Sequence, residues 1–392
     1  MRLHRNREFV LFQTGQLLSS LGGSLTGVAY PLLVLELTHS PVKAGIVSFA
    51  RYLPAPLVGL PAGLAADRWN RKRLMIGADA VRAAAVGALA ALVAVHPLFW
   101  PIPLLAFVEG AGESFFNACV GGALRAVVPA EQLPDAVSVQ QGRLAAVGLI
   151  GPPAGGALFG IGRALPFVGD AVSYAASFVS LLLMRAPFQQ ERDREPRRIR
   201  TELAEGFAFL WSQPFIRATS FLYAIGNFTD PAALFVLVVV ARRDDLPPAR
   251  IGLLLAAFSA ALLLGAAASP LVRRRLSAIA IIRMEQYTTV LMAAYAVWPS
   301  VYVLAASLLP LGVAIPITDS VVISRRLQVT PDELLGRVEA ARATIARLAA
   351  PLGPLTAGIL LSAVSPQATI AAFAAVGVGL ILWTTFSRSL RL

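Results

Sequence analysis

Long apolar stretches, each followed by a short polar stretch, repeat along the whole chain. Each apolar stretch has about twenty residues, the length a helix needs to cross the hydrocarbon layer of a bilayer. The pattern predicts about twelve membrane-spanning helices, near residues 9–36, 43–66, 74–95, 101–123, 137–161, 166–185, 215–240, 250–271, 278–298, 301–323, 341–363 and 368–387. The pattern therefore predicts an all-α polytopic membrane protein.

Composition supports this pattern. Of the 392 residues, 57% are hydrophobic and 14% are charged, whereas soluble domains carry about 25% charged residues. The formal net charge is +12, but the charges lie in short clusters between apolar stretches, so no nucleic-acid partner is expected. The single cysteine, Cys119, excludes a disulfide within the chain. The expected partner is the lipid bilayer.

Arginine and lysine collect on alternate loops. The clusters on one side include the amino terminus, the loop after the second span, Arg192 to Arg200, Arg273 to Arg275, and Arg388 with Arg391. Cytoplasmic loops of membrane proteins are enriched in these two residues. The distribution predicts a multi-pass protein of the cell membrane with both termini in the cytoplasm.

A polar segment at 189–205 divides the predicted spans six and six. We predict an N-terminal bundle over 1–186, a cytoplasmic linker over 187–213 and a C-terminal bundle over 214–392. The protein that contains these two bundles is expected to be a monomer.

An internal repeat supports two related halves. Gly63 and Gly265 are 202 positions apart, and the Gly-Pro pairs at 151–152 and 353–354 have the same separation. Many transporters are built from such duplicated bundles. The repeat predicts two pseudo-symmetric six-helix bundles.

Two motifs stand out in the first half. The loop after the second span contains a glycine and several charges, at Gly63, Asp67, Arg68, Arg71 and Arg73. The glycine predicts close packing of helices, and Asp67 is placed to pair with the arginines as a latch. The second copy has Ser269 at the position of Asp67, so only the first half is expected to carry the full latch. The fifth span contains small residues and prolines that predict a kink with a smooth face, at Gly151, Pro152, Gly155 and Gly156.

The first motif resembles G-x-x-x-D-R-x-x-R-(K/R)-R, the loop signature of the major facilitator superfamily. The second resembles the G-P-x-x-G-G core of that superfamily's antiporter motif. Segments such as 128–136 and 169–178 resemble the exporter branch that includes enterobactin and macrolide exporters. The resemblance implies the major facilitator fold, alternating access and export.

The resemblance also implies that the first, fourth, seventh and tenth spans line a central cavity. An ionisable group within a bilayer is costly and is by default a functional candidate. The candidates for proton coupling or substrate binding are the polar residues of these spans, together with an arginine of the second span: Gln16, Glu109, Glu113, Asn117, Asn227, Asp230, Asp319 and Arg51.

Glu109 and Glu113 lie four residues apart, on one face of a helix and about 6 Å apart along its axis. Two carboxylates this close cannot both ionise cheaply, so one is predicted to hold a proton. The alternative is that each glutamate forms a fixed structural ion pair with an arginine such as Arg51. Arg51 itself is expected either to be the counter-ion of one of these glutamates or to contact an anionic cargo. Asp79 and Arg82, three residues apart, are predicted to form a structural pair.

The sequence has no G-x-x-x-x-G-K-[ST] phosphate loop, no set of metal ligands and no convincing nucleophile with a base. We therefore expect no enzymatic activity, no cofactor and no metal. The predicted function is proton-coupled export of a small amphipathic compound, such as a drug or siderophore. The alternatives are an importer or lipid flippase of the same fold, or a non-transporting membrane receptor.

Overall fold

The computed structural model describes residues 3–188 and 199–390, apart from a few side chains near the ends of these ranges. The charged segment at 189–198, which holds most of the predicted cluster from Arg192 to Arg200, lies outside the described residues, as does Arg391. The described part consists of α-helices and short 3-10 turns, with no strand. The all-α prediction is confirmed.

Seven helices precede the undescribed segment and nine follow it within the described residues. The first seven are α1 (Arg7–Thr38), α2 (Pro41–Tyr52), α3 (Pro54–Arg68), α4 (Arg71–Val95), α5 (Pro101–Val127), α6 (Leu133–Ile161) and α7 (Leu165–Leu183). The others are α8 (Ile199–Ser212), α9 (Pro214–Arg243), α10 (Pro248–Arg275), α11 (Ala278–Val290), α12 (Ala294–Val297), α13 (Val301–Val329), α14 (Leu335–Ala349), α15 (Leu352–Ala363) and α16 (Pro366–Phe386).

Nine helical segments of the described residues are long and apolar enough to cross a membrane. The predicted span at 43–66 is divided into α2 and α3, because Pro54 has no N–H to continue the helix. The predicted span at 278–298 is interrupted by a 3-10 turn at Leu291–Ala293. Helix α5 is long enough but more polar, since it carries Glu109 and Glu113. The count of twelve spans is therefore not confirmed.

The chain forms two compact units. The first contains Met1–Asp193 and Asp245–Ala256, and the second contains Arg194–Asp244 and Ala257–Leu392. The first residues of α10 thus group with the first unit, although the sequence assigned 214–392 to the C-terminal bundle.

The described part of the predicted linker is helical. Leu210 of α8 is fully buried in a hydrophobic cluster of the second unit that includes Ile216 and Val338. A Cβ built on Gly206 would lie 2.3 Å from the carbonyl oxygen of Arg337, so α8 lies directly against α14. This close packing makes α8 part of the second unit.

Polar contacts join several helix ends at one end of the first unit. The Asn6 amide donates to the Val127 carbonyl oxygen at 2.7 Å, and the Lys72 ammonium donates to that of Met184 at 2.6 Å. The starts of α1 and α4 therefore meet the ends of α5 and α7. This arrangement is expected for helices that alternate in direction.

The repeated Gly-Pro positions occupy similar places in the two units. A Cβ built on Gly151 would lie 2.2 Å from Ser24 Oγ, and one on Gly353 would lie 2.1 Å from the Phe228 carbonyl oxygen. Each glycine thus lies where a helix presses against the first long helix of its half, α6 on α1 and α15 on α9. The internal repeat therefore extends to helix packing.

Candidate functional site

Glu109 of α5 is the centre of a buried polar network in the first unit. Its side chain is 0% exposed and accepts hydrogen bonds from the Tyr30 hydroxyl at 2.7 Å, the Tyr174 hydroxyl at 3.0 Å and Arg51 Nη2 at 3.0 Å. Arg51 Nη2 also donates to the Gly23 carbonyl oxygen at 3.2 Å. A buried carboxylate is tolerated when it is paired and hydrogen-bonded in this way.

Backbone packing brings Arg51 to Glu109. A Cβ built on Gly110 would lie 2.2 Å from the Arg51 carbonyl oxygen, so only a glycine lets the end of α2 approach α5 this closely. Helix α2 ends at Tyr52, the residue after Arg51. The guanidinium is consequently held between α1 and α5.

Glu113 lies one turn further along α5 and has a different environment. It is exposed, and it forms no hydrogen bond or ion pair with any described residue. The charge of Arg51 interacts with Glu113 as well as with Glu109. The geometry thus favours the ion-pair interpretation for Glu109 and leaves Glu113 as an unpaired carboxylate.

Asp79 and Arg82 of α4 extend the network. Arg82 Nη1 lies 3.5 Å from Asp79 Oδ1, Arg82 Nη2 donates to the Tyr174 hydroxyl at 2.9 Å, and the guanidinium lies 3.9 Å from the Tyr174 ring centroid. Tyr174 therefore links the predicted pair to Glu109. Tyr30 and Tyr174 were missed as site residues, because hydropathy does not reveal which face of a buried helix meets a charge.

Asp170 of α7 is a second buried carboxylate that the sequence interpretation did not select. It is 0% exposed and accepts hydrogen bonds from the Thr26 hydroxyl at 2.8 Å and the Ser173 hydroxyl at 3.3 Å. No described lysine or arginine nitrogen lies within 4.0 Å of it. The sequence signal that could have identified Asp170 was the presence of an aspartate inside an apolar span.

The candidates of the second unit form a separate acidic group. Asp319 of α13 accepts a hydrogen bond from the Tyr223 hydroxyl, and Asp230 of α9 accepts one from the Thr229 hydroxyl at 3.2 Å. Glu285 of α11, which was missed, interacts electrostatically with both aspartates. It lies in a span that the resemblance did not assign to the cavity.

The remaining cavity candidates are three polar side chains. Asn117 is exposed and Asn227 is half-buried, and neither forms a hydrogen bond with a described residue. Gln16 of α1 is buried and accepts a hydrogen bond from Arg143 Nη1 of α6 at 2.8 Å. Arg143 was missed, although it too lies inside a predicted span.

The charged loop motif forms only part of the predicted latch within the first unit. Arg71 Nη2 lies 3.5 Å from Asp67 Oδ1, and a Cβ on Gly122 of α5 would lie 2.4 Å from Arg71 Nη1. Arg68 and Arg73 are exposed. Among the described residues, a Cβ built on Gly63 would have no atom within 4 Å, so they do not show the close packing predicted there.

The antiporter-like motif packs α6 against two helices within the first unit. A Cβ on Gly155 would lie 2.6 Å from the Leu25 carbonyl oxygen, and one on Gly156 would lie 2.1 Å from that of Pro248. In the reverse direction, a Cβ on Gly252 would lie 2.2 Å from the carbonyl oxygen of Pro152. Small residues therefore allow backbone contact on both sides of α6.

Apolar helices that enclose charged and hydrogen-bonded groups define a polytopic membrane transporter. The sequence model of the Major Facilitator Superfamily matches residues 14–324, and the chain belongs to this superfamily.

The similar proteins include efflux pumps. The multidrug efflux pump Tap of Mycolicibacterium fortuitum is 28% identical over 377 residues, which cover 91% of this chain and 90% of that protein. Macrolide efflux protein A of Streptococcus pyogenes is 25% identical over 209 residues, 52% of this chain and 51% of that protein. A bacterial homologue of the iron transporter ferroportin in an inward-facing state shares the fold, with a TM-score of 0.76 and 16% identity over 99% of this chain and 100% of that one.

Proposed function

We propose that the chain is a proton-coupled exporter that moves a small amphipathic compound, such as a drug or siderophore, out of the cytoplasm by alternating access. The efflux pumps among its relatives support export. The observation that carries the proton coupling is the unequal environment of two carboxylates on α5. Glu109 has three donors, whereas Glu113 has no partner among the described residues.

Arg51 links the two carboxylates. Its guanidinium forms the ion pair with Glu109 and interacts electrostatically with Glu113. When Glu113 carries a proton, Arg51 is attracted to Glu109 alone. When Glu113 loses the proton, both carboxylates attract Arg51, and the hydrogen bonds of Tyr30 and Tyr174 to Glu109 lose strength if Arg51 turns toward Glu113. The proton on Glu113 therefore sets the geometry of the whole network.

The other elements have supporting roles in this proposal. Asp67 with Arg71 latches the cytoplasmic side, and Gly151 to Gly156 allow α6 to slide against its neighbours. Both termini lie in the cytoplasm, and the protein works as a monomer. The acidic group of Asp230, Glu285 and Asp319 provides further sites for protons or cargo.

Transport into proteoliposomes tests the proposal. The purified chain is reconstituted, a pH gradient of either polarity is imposed, and the movement of erythromycin and of ethidium is followed. We expect Glu113→Gln to abolish movement driven by the gradient while the protein elutes as a folded species. Glu131→Gln, which removes an exposed carboxylate outside the network, is the matched control and should transport normally.

Three results would contradict the proposal. Full gradient-driven transport by Glu113→Gln would exclude that residue as the proton carrier. Uptake and release that ignore the pH gradient in the native protein would exclude proton coupling, and movement only in the inward direction would identify an importer.

A further inference from the structure

Arg143 of α6 is a cation for which the described residues provide no counter-ion. Its Nη1 donates to Gln16, its Nε is buried without a hydrogen-bond partner, and no described carboxylate oxygen lies within 4.0 Å of its nitrogens. Arg51 and Arg82, by contrast, each lie near a carboxylate. An unpaired charge at membrane depth is costly, so its presence indicates a function.

Gln16 adds a second unused donor beside this cation. It is 7% exposed, and because a guanidinium can only donate, the atom that faces Arg143 must be the amide oxygen. The amide nitrogen is left buried without a partner. Two side chains on different helices thus offer N–H groups that no acceptor within the described residues receives. An acceptor with a negative charge would satisfy both.

The neighbouring Gln13 adds an acceptor to the same face of α1. It precedes Gln16 by three residues, and its amide oxygen is also buried without a partner. A hydroxyl or N–H group of a bound molecule would satisfy this atom. Gln13 and Gln16 thus leave one acceptor and one donor unpaired among the described residues of α1, beside the cation that Gln16 binds.

The depth of these residues suits a transported molecule. Gln16 lies nine residues after the start of α1 and Arg143 lies ten after the start of α6. At 1.5 Å per residue, both are about 14 Å from the ends of their helices. Helix α1 has 32 residues and α6 has 29, so each is longer than the roughly 30 Å hydrocarbon layer. A helix of either length centred in the layer would place these residues inside it, between one face and the midplane. Arg143 is half-buried, so part of the residue is accessible.

We propose that Arg143 and Gln16 bind the carboxylate, or another singly charged anionic group, of an amphipathic molecule that the protein transports. The site rests on the proposed function, since its ligand is cargo. The sequence left Arg51 as a possible contact for anionic cargo, but Arg51 is paired with Glu109. Arg143 is the arginine that we assign to this contact instead. The chain would then prefer amphipathic acids to amphipathic bases of the same shape.

Binding to the purified full-length protein tests this site without any transport step. The probes are 2-naphthaleneacetate, its neutral amide and 2-(2-naphthyl)ethylammonium, which share a ring system and differ in charge. Affinities are measured by quenching of tryptophan fluorescence. We expect the anion to bind about tenfold more tightly than the other two probes, because charge-assisted hydrogen bonds in a low-dielectric site are strong.

Variants of Arg143 and Gln16 test whether these two residues cause the preference for the anion. Arg143→Gln should reduce the preference for the anion to near unity, and Arg143→Lys should retain part of it, since the charge remains but the forked donors do not. Gln16→Leu should weaken anion binding and leave the amide unaffected. Arg125→Gln, which removes an exposed arginine from the same unit, is the control and should keep the full preference.

Three results would each refute the proposed anion site. They are equal binding of the three probes, no binding of the anion, and an unchanged preference for the anion in a folded Arg143→Gln protein. These outcomes are distinct from failure of the proposed function, which is judged by gradient-driven transport in proteoliposomes. A chain that binds the anion but ignores the pH gradient would retain the site and lose the proton coupling.

Discussion

The ion pair between Arg51 and Glu109 allows a quantitative prediction. Glu109 is fully buried, and Arg51→Met would leave its carboxylate with two hydroxyl donors and no ion-pair partner. Breaking a buried pair from one side costs about 3–5 kcal/mol. The Glu109→Gln change should cost less, about 1.5–3 kcal/mol, because Arg51 keeps its bond to the Gly23 carbonyl oxygen.

The double variant distinguishes a specific pair from general damage. With both charges removed, no uncompensated charge remains, so the double variant should be more stable than the sum of the single changes implies by about 1–3 kcal/mol. Unfolding in mixed micelles, followed by tryptophan fluorescence, measures the three free energies of unfolding relative to the native protein.

The pair of Arg163 and Glu36, at 2.6 Å but more exposed, is the matched control. Its coupling energy should stay below about 1 kcal/mol, as for other surface pairs. If the coupling between Arg51 and Glu109 were no larger than this control, the buried pair would not organise the network, and the reasoning above would be refuted.

Three further changes test neighbouring features. Tyr174→Phe removes a hydroxyl bonded to Glu109 and should lower the free energy of unfolding by about 1–3 kcal/mol; an unchanged value would mean that water replaces it. Gly155→Val should reduce thermal stability and efflux, because the valine side chain would collide with the α1 backbone. Gly160→Val is the control and should change neither, since no described atom lies within 4 Å of a Cβ at that position. Equal effects of the two variants would contradict the packing argument. Asp170→Asn should change the free energy of unfolding by less than about 1 kcal/mol. The amide oxygen can still accept the Thr26 hydroxyl, and the Ser173 hydroxyl also donates to the backbone carbonyl oxygen of residue 170; a larger loss would indicate an ionised carboxylate.

The fold was predictable because a helix that crosses a bilayer needs about twenty consecutive apolar residues, a length that is visible in the sequence. Spans such as 9–36 and 301–323 correspond to single helices, α1 and α13. The interruptions at Leu53 and Leu291 were not predictable from hydropathy, which averages over a whole span. Pro54 was a visible signal for the first, whereas the second depends on packing around a 3-10 turn.

The candidate site was only partly predictable. The Arg51 and Glu109 pair was among the alternatives because few charges lie inside the spans, and a buried charge needs a partner. Asp170, Glu285 and Arg143 carried the same signal and were passed over. The choice of partners depends on helix rotation and on contacts between distant residues, which spacing along one helix does not reveal.

The two halves share a glycine contact but not the buried ion pair. The positions 202 residues after Arg51 and Glu109 are Leu253 and Leu311, although Gly151 and Gly353 make corresponding close contacts. A shared backbone contact can therefore persist between two related halves without the side-chain chemistry beside it. The buried ion pair is a property of the first half alone, so variants that remove it perturb one half of the repeat and have no equivalent in the other.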